Sequence, residues 1–505
     1  MMSLQVFSLG VLMLVTFTWF LNHVVGVKRD QNEPQYISPK VPIIGHAIGL
    51  LQKKYDYYIS LSKKYKLRIF GLAMPGMPGG RVYVINSAEL VLAVQRVPKK
   101  LSFWDVEATF AVKMAGLDAN AAKLMMHNAS GVEEGESFFA EGMVDLQKQL
   151  KPSEKLTDIT REAAKILACS IGALEEQGAK RVDLGAWVVQ EIMASVTTSY
   201  YGPKNPFKDP EAAQAFLDFE HYAVELMSFP LPQITCSKGY KAREKLVSAF
   251  VKYYEDGGRA GASHIHESAS KVRDAYEVSN VDRSRFDAVN GHAILANTTP
   301  TAFWTIYHVL SDPAILKEVR AAVEPLVSKS KDGSLTYEID ISHIRDIPIL
   351  KSVLHEALRH YAGGTGTRIV LEDTMLDGKY LLKKGSFIFM PNQAYHFDEE
   401  SWGSDVDEFD AHRFMKPKPH LPGAFRGFGG GVNLCPGRFF AMNENLAMCA
   451  MLVMRYDIKP VGGTWRHPGV DRSNLSLLVN PPKDRVLVEI VPRKGWEGGS
   501  WSFKL

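Results

Sequence analysis

Cysteine is scarce: Cys169, Cys236, Cys435 and Cys449 are all that 505 residues contain, with no C-x-x-C pair among them. A disulfide framework and a zinc cage both need paired spacing, so neither organises this chain. The low count fits a reducing compartment. The chain also lacks a strong charge of either sign. Lys and Arg number 59 against 56 Asp and Glu, a formal net charge of +3, which leaves no electrostatic footprint for nucleic acid. No internal repeat or low-complexity tract is visible. With 46% hydrophobic and 23% charged residues, the composition is that of a folded globular protein, long enough to close one large core around a buried cofactor.

Charge is absent altogether from residues 1–27. An uncharged apolar run of this length crosses about 30 Å of hydrocarbon as a helix. Lys28 and Arg29 follow at once, which by the positive-inside tendency leaves the remainder in the cytosol. A cleaved signal peptide would carry basic residues before the apolar core and a small-residue cleavage site after it, and neither is present. The expectation is an uncleaved single-pass transmembrane helix over 1–27, then a linker over 28–45 whose Pro39 and Pro42 make a stiff hinge. Residues 46–505 follow as one continuous domain.

Residues 81–85 are a β-branched and aromatic run bounded by glycines and Asn86, and predict a strand. From about residue 88 to 327, apolar residues recur at helical spacing. Strands are expected around 371–389, with Asp377 and Gly378 as a hairpin turn. A second pair is expected at 476–479 and 485–490. The fold class is therefore mainly α with small β-sheets.

The most informative stretch is Phe428 to Arg438. Gly429, Gly430 and Gly431 allow a close-lying backbone loop that side chains would block. Cys435 stands at its end, followed by Pro436 and Gly437 at the entrance to a helix, where free N–H groups favour a thiolate. A metal needs its single sulfur ligand deprotonated, exposed on one side and fixed. Cys169 and Cys449, in apolar helical contexts, instead predict small buried hydrophobes.

This segment resembles the haem-ligand loop of the cytochrome P450 family, F-x-x-G-x-x-x-C-x-G, with Phe428, Gly431, Cys435 and Gly437 matching. The resemblance implies a P450-like fold, haem b, and Cys435 as axial iron ligand, pushing electron density onto the metal. Glu356 and Arg359 match the family's E-x-x-R helix about 75 residues before the cysteine, and Arg413 resembles the arginine that completes its charge network. The implied role is a buried structural brace. Arg368 falls near a position that pairs with a haem propionate. Two features are missing. Asn433 occupies the place of a second basic residue, and neither Trp104 nor Trp187 has an arginine four residues on.

Residues 288–304 resemble the long central helix that crosses the haem. The family's acid–threonine pair falls on Ala296 and Asn297, or, shifted by one, on Asn297 and Thr298. Either way the carboxylate is absent. Asn297 is read as positioning a water, or alternatively as a helix-kink residue before Pro300. The string from Ala296 to Trp304 resembles the subgroup containing sterol 7α- and 12α-hydroxylases and prostacyclin synthase. Three activities therefore stay open at this stage. One is an O2-using monooxygenase of a lipophilic terpenoid, steroid-like or other secondary metabolite, fed by NADPH through a reductase, with cytochrome b5 as a further partner. The others are an isomerase or dehydratase of a peroxide, and a non-catalytic haem sensor. The resemblance implies the endoplasmic reticulum membrane, with the catalytic domain facing the cytosol. Lys416, Lys418, Arg426 and Arg438 are read as reductase contacts or plain surface charge. Expected pocket segments are 103–114, 288–301, 363–369 and 473–479.

Overall fold

The computed structural model describes residues 28–39, 41, 45–176, 180–330 and 334–505. The expected membrane helix at 1–27 and part of the linker lie outside these residues. Among the described residues no helix is long and apolar enough to cross a membrane. The chain divides into two compact units, each assembled from separated segments. One runs to Val106 and takes in Gly364–Gly403 and His420–Asn433; the other comprises Glu107–Gly363, Ser404–Pro419 and Leu434–Leu505.

The first unit is built on a five-stranded sheet. Its strands are β1 (Ile69–Ala73), β2 (Arg81–Ile85), β3 (Leu101–Ser102), β4 (Thr365–Val370) and, after a hairpin of β5 (Thr374–Leu376) and β6 (Tyr380–Leu382), β7 (Phe387–Pro391). The order is β1-β2-β7-β4-β3. β2 and β7 run parallel with Tyr83 opposite Ile388, and Ile388 in turn faces Arg368 of antiparallel β4. Four of the five β2 residues are buried, as expected of a strand covered on both faces. The predicted turn at Asp377–Gly378 is present, with φ of 53° and 65°, the doubly left-handed geometry of a tight hairpin. The linker packs back on this sheet: Tyr36 bridges Gly71, and Glu33 accepts from the hydroxyls of Tyr36 and Tyr83 at 2.6 and 2.7 Å.

The second unit is mainly helical. The elements that matter here are α1 (Glu154–Glu176), α2 (Leu184–Tyr201), α3 (Asn280–Leu295), α4 (Thr298–Ser311), α5 (Pro348–Tyr361) and α6 (Arg438–Arg455). Every residue of α6 from Met442 to Arg455 is buried, the pattern of a helix at the centre of a large protein. Glu444 is among them; it accepts from the Ser195 hydroxyl on α2, and burial pushes its carboxyl up to about 8.

Four expectations need correction. The central helix is not continuous: α3 ends at Leu295 and α4 starts at Thr298. Pro300 has no N–H and its ring crowds the carbonyl four residues back, which is that of Ala296. Residues 476–479 form no strand, because the N–H groups of Leu478 and Val479 are taken by the Asn297 side chain. The strand expected at 485–490 is found at Leu487–Pro492, between Tyr456–Pro460 and Lys180–Asp183. Cys169 is exposed, on the solvent side of α1, whereas Cys449 is fully buried as expected.

Candidate active site

In the second unit Cys435 lies half-buried just ahead of α6, whose N-cap is Gly437. Arg438 folds back so that its Nη1 donates to the Cys435 carbonyl at 2.8 Å. This bond fixes the backbone that carries the sulfur. Burial pushes the thiol above its ordinary value, while the Gly437 N–H and the Arg438 charge pull it back. A bound metal ion displaces the proton from a coordinating thiol outright.

The glycines before the cysteine belong to the first unit. Gly429 and Gly431 adopt φ of +78° and +64°, the left-handed region. Gly430 is required for a different reason: a Cβ there would come within 2.5 Å of Gln95 Nε2 and 3.2 Å of Arg426 Nη1. The loop is thus glycine-rich through conformation at two positions and through crowding at the third.

Glu356, Arg359 and Arg413 converge as the sequence predicts, each no more than 1% exposed. Arg359 binds Glu356 in a fork, Nε to Oε2 and Nη2 to Oε1, both 2.7 Å. Arg413 Nε reaches Oε1 at 3.0 Å, as does the Asp410 N–H. The outward nitrogens are met by carbonyls: Arg359 Nη1 donates to Val406 and Nη2 to Glu408, at 2.8 and 2.9 Å. Arg413 continues to the Asp405 carboxylate at 3.0 Å and its carbonyl at 2.8 Å. Bidentate, charge-assisted bonds of this kind hold a shape as well as lowering energy. The network fastens residues 405–413 to α5.

At the break between α3 and α4, Asn297 Oδ1 accepts from the N–H groups of Leu478 and Val479 at 2.9 and 3.0 Å. Thr298 Oγ1 donates to the Ile294 carbonyl at 3.0 Å. The same loop is held by Trp304 Nε1 on the Asn480 carbonyl at 2.8 Å and by the Asn480 N–H on the Tyr361 carbonyl at 2.9 Å. One face of α4 opens on a cavity of about 270 Å3, lined by Ala296, Thr299, Phe303 and Leu477. Residues from the segments 288–301 and 473–479 line this cavity, and none from 103–114 or 363–369 does. Val189 and Met193 of α2 and Phe216 also line it, with the charged Glu220, Lys483 and Arg485 among the remaining residues; as plain core positions by spacing, Val189, Met193 and Phe216 gave no signal in the sequence.

Arg368 is buried on β4, its Nη1 donating to the Thr367 carbonyl at 2.6 Å and its guanidinium 4.9 Å from the Phe103 ring centre. Arg426, expected at the surface, is buried as well. Its Nε and Nη1 have no hydrogen-bond partner. Lys416 is exposed and pairs with Asp410 at 2.7 Å. A half-buried sulfur at a helix entrance suits a group that brings an open metal valence. Haem is such a group.

A family model described as Cytochrome P450 matches residues 293–488. Cytochrome P450 monooxygenase nodJ of Hypoxylon pulicicidum is 32% identical over 490 residues, which are 94% of this chain and 93% of that one. A bifunctional cytochrome P450/NADPH--P450 reductase of Gibberella moniliformis is 32% identical over 173 residues, 34% of this chain and 15% of that one. The crystal structure of the cytochrome P450DA heme domain shares the fold, with a TM-score of 0.70 at 17% identity, covering 94% of this chain and 99% of its own. Taken with the loop, the buried charge network and the mainly helical body, the near full-length match makes this chain a member of the cytochrome P450 family, a haem b-dependent monooxygenase using O2.

Proposed function

We propose that the enzyme oxygenates a lipophilic small molecule, terpenoid, steroid-like or another secondary metabolite, with electrons passed from NADPH by a separate reductase. Cytochrome b5 is a second electron donor, and the anchor at 1–27 holds the enzyme on the endoplasmic reticulum membrane facing the cytosol. The relative that joins a P450 to an NADPH--P450 reductase in one chain supports the electron route. Apolar anchoring favours substrates that partition from the bilayer. Bound haem supplies the iron at which O2 is split, one atom entering a substrate C–H bond and the other leaving as water with two protons and two electrons.

Cys435 is the residue that would hold the haem iron through its sulfur, its backbone fixed by Arg438 on its carbonyl; Phe428, Gly431 and Gly437 are the other positions of the loop assigned to the cofactor. Arg368 is assigned to a haem carboxylate, which its buried planar guanidinium suits. Glu356, Arg359 and Arg413 brace the chain that leads to the cysteine and touch no reacting atom. Thr298 keeps lone pairs for a water, since its hydroxyl hydrogen is committed to Ile294. Asn297 has its oxygen committed to the loop and acts through Nδ2, a donor. An amide orients a water in this way but does not accept a proton from it.

The observation that carries this reading is the place of Cys435, half-buried at the entrance to α6 with its carbonyl held by Arg438. Dithionite reduction under carbon monoxide tests it: the parent gives the red-shifted band of a thiolate-bound carbonyl haem, and C435S does not. A band that survives in C435S sinks the assignment. Turnover in the presence of reductase and NADPH, and its absence without them, tests the electron route.

A further inference from the structure

Arg426 is a buried cation without an anion. It stands nine positions before Cys435, is 5% exposed, and neither Nε nor Nη1 finds a partner. A guanidinium cannot escape burial by losing its proton, and an unpaired buried charge is among the costliest features a fold can hold. Nothing in the backbone relaxes this. The Arg426 N–H donates to His396 Nε2 at 2.9 Å and its carbonyl accepts from Gly429 at 3.0 Å, so the residue is fixed on both sides.

Glycines stand against the guanidinium where side chains would crowd it. An added Cβ at Gly430 would lie 3.2 Å from Nη1, and one at Gly366 would lie 3.6 Å from Nη2. Close by is the hydroxyl of Tyr395, also buried without a partner. Burial pushes that phenol up while the charges of Arg426 and Arg368 pull it back, which places both cations near it. The Arg426 guanidinium and the Tyr395 O–H are thus neighbouring donors without an acceptor, and the Arg368 guanidinium, which donates to the Thr367 carbonyl, adds a second positive charge beside them.

We infer that Arg426 binds a carboxylate of the haem and so replaces the base that is missing at Asn433. The inference rests on the haem reading of the site. An amide at 433 offers a carboxylate one neutral hydrogen bond. A guanidinium seven residues earlier offers a charge-assisted, two-pronged one. The same chemistry could serve a substrate carboxylate, and the test separates the two.

Holoenzymes of the parent, R426L and R426K are prepared with haem b and with its dimethyl ester, in which no carboxylate is left. Haem loss to excess apomyoglobin is then followed. R426L releases haem b about tenfold faster than the parent, the loss of one charge-assisted bond, while the ester leaves both proteins at one rate. R426K falls between, and gives the same contrast at smaller amplitude if R426L does not fold. Release of haem b from R426L at the parent's rate overturns the inference and assigns the cation to another anion. Equal acceleration for acid and ester also overturns it, because Arg426 then only packs the loop. A failure of the haem reading itself is seen separately, as a parent without the thiolate carbonyl band.

Discussion

At the scale of single residues, two buried carboxylates behave in opposite ways because their surroundings differ. Glu356 is surrounded by two guanidinium groups and a backbone N–H. Removing it leaves both cations uncompensated in the core, so E356A lowers stability by about 3–5 kcal/mol, read as a fall in urea midpoint with loss of bound haem. R359K is nearly as harmful, since an ammonium cannot reproduce the fork or reach Val406 and Glu408 together. Glu444 has only the Ser195 hydroxyl and is neutral in the native state, with a pKa pushed by burial from 4.5 to about 8. The native protein therefore keeps a proton that the unfolded chain gives up, and stability falls as pH rises from about 4.5 through about 8. Thermal melts from pH 5 to 8 read this decline. E444Q flattens it, and a decline unchanged in that variant assigns it to other groups.

Between elements, the join of α3 and α4 shows what sequence periodicity can and cannot reveal. Pro300 was visible, and with it a reason for a break, but the partner of Asn297 lies on a loop almost two hundred positions away. A side-chain acceptor that captures two backbone donors leaves no pattern, so residues 476–479 read as a strand on their alternation alone. N297A strands these N–H groups. The variant loses about 1–3 kcal/mol, and hydrogen exchange at Leu478 and Val479 accelerates, whereas N297D keeps both bonds and their protection. The hairpin at Asp377–Gly378 was legible because its turn chemistry is local. The cysteine loop and the Glu356–Arg359 pair were legible because few residue types meet their demands. The carbonyls of Val406 and Glu408 were not, since every residue carries one. Arg426 was read as surface charge for a related reason: sequence shows that a residue is basic but not which side of the backbone is covered.

For the whole molecule, the expected anchor and the described body separate cleanly in experiment. A chain starting at Lys28 keeps the linker contacts of Glu33 and Tyr36 with the sheet. It is expected to retain the thiolate carbonyl band and to leave the membrane fraction on cell lysis. Retention in the membrane fraction would mean that another surface holds it there. The interleaving of the two units has a consequence for synthesis. β2 pairs with β7, and the first unit is completed only by His420–Asn433. A ribosome must therefore deliver more than three-quarters of the polypeptide, up to the end of β7 at Pro391, before this sheet can close. Until then β2 is an open edge with unpaired donors and acceptors, a stretch of translation in which the nascent chain is exposed to mispairing.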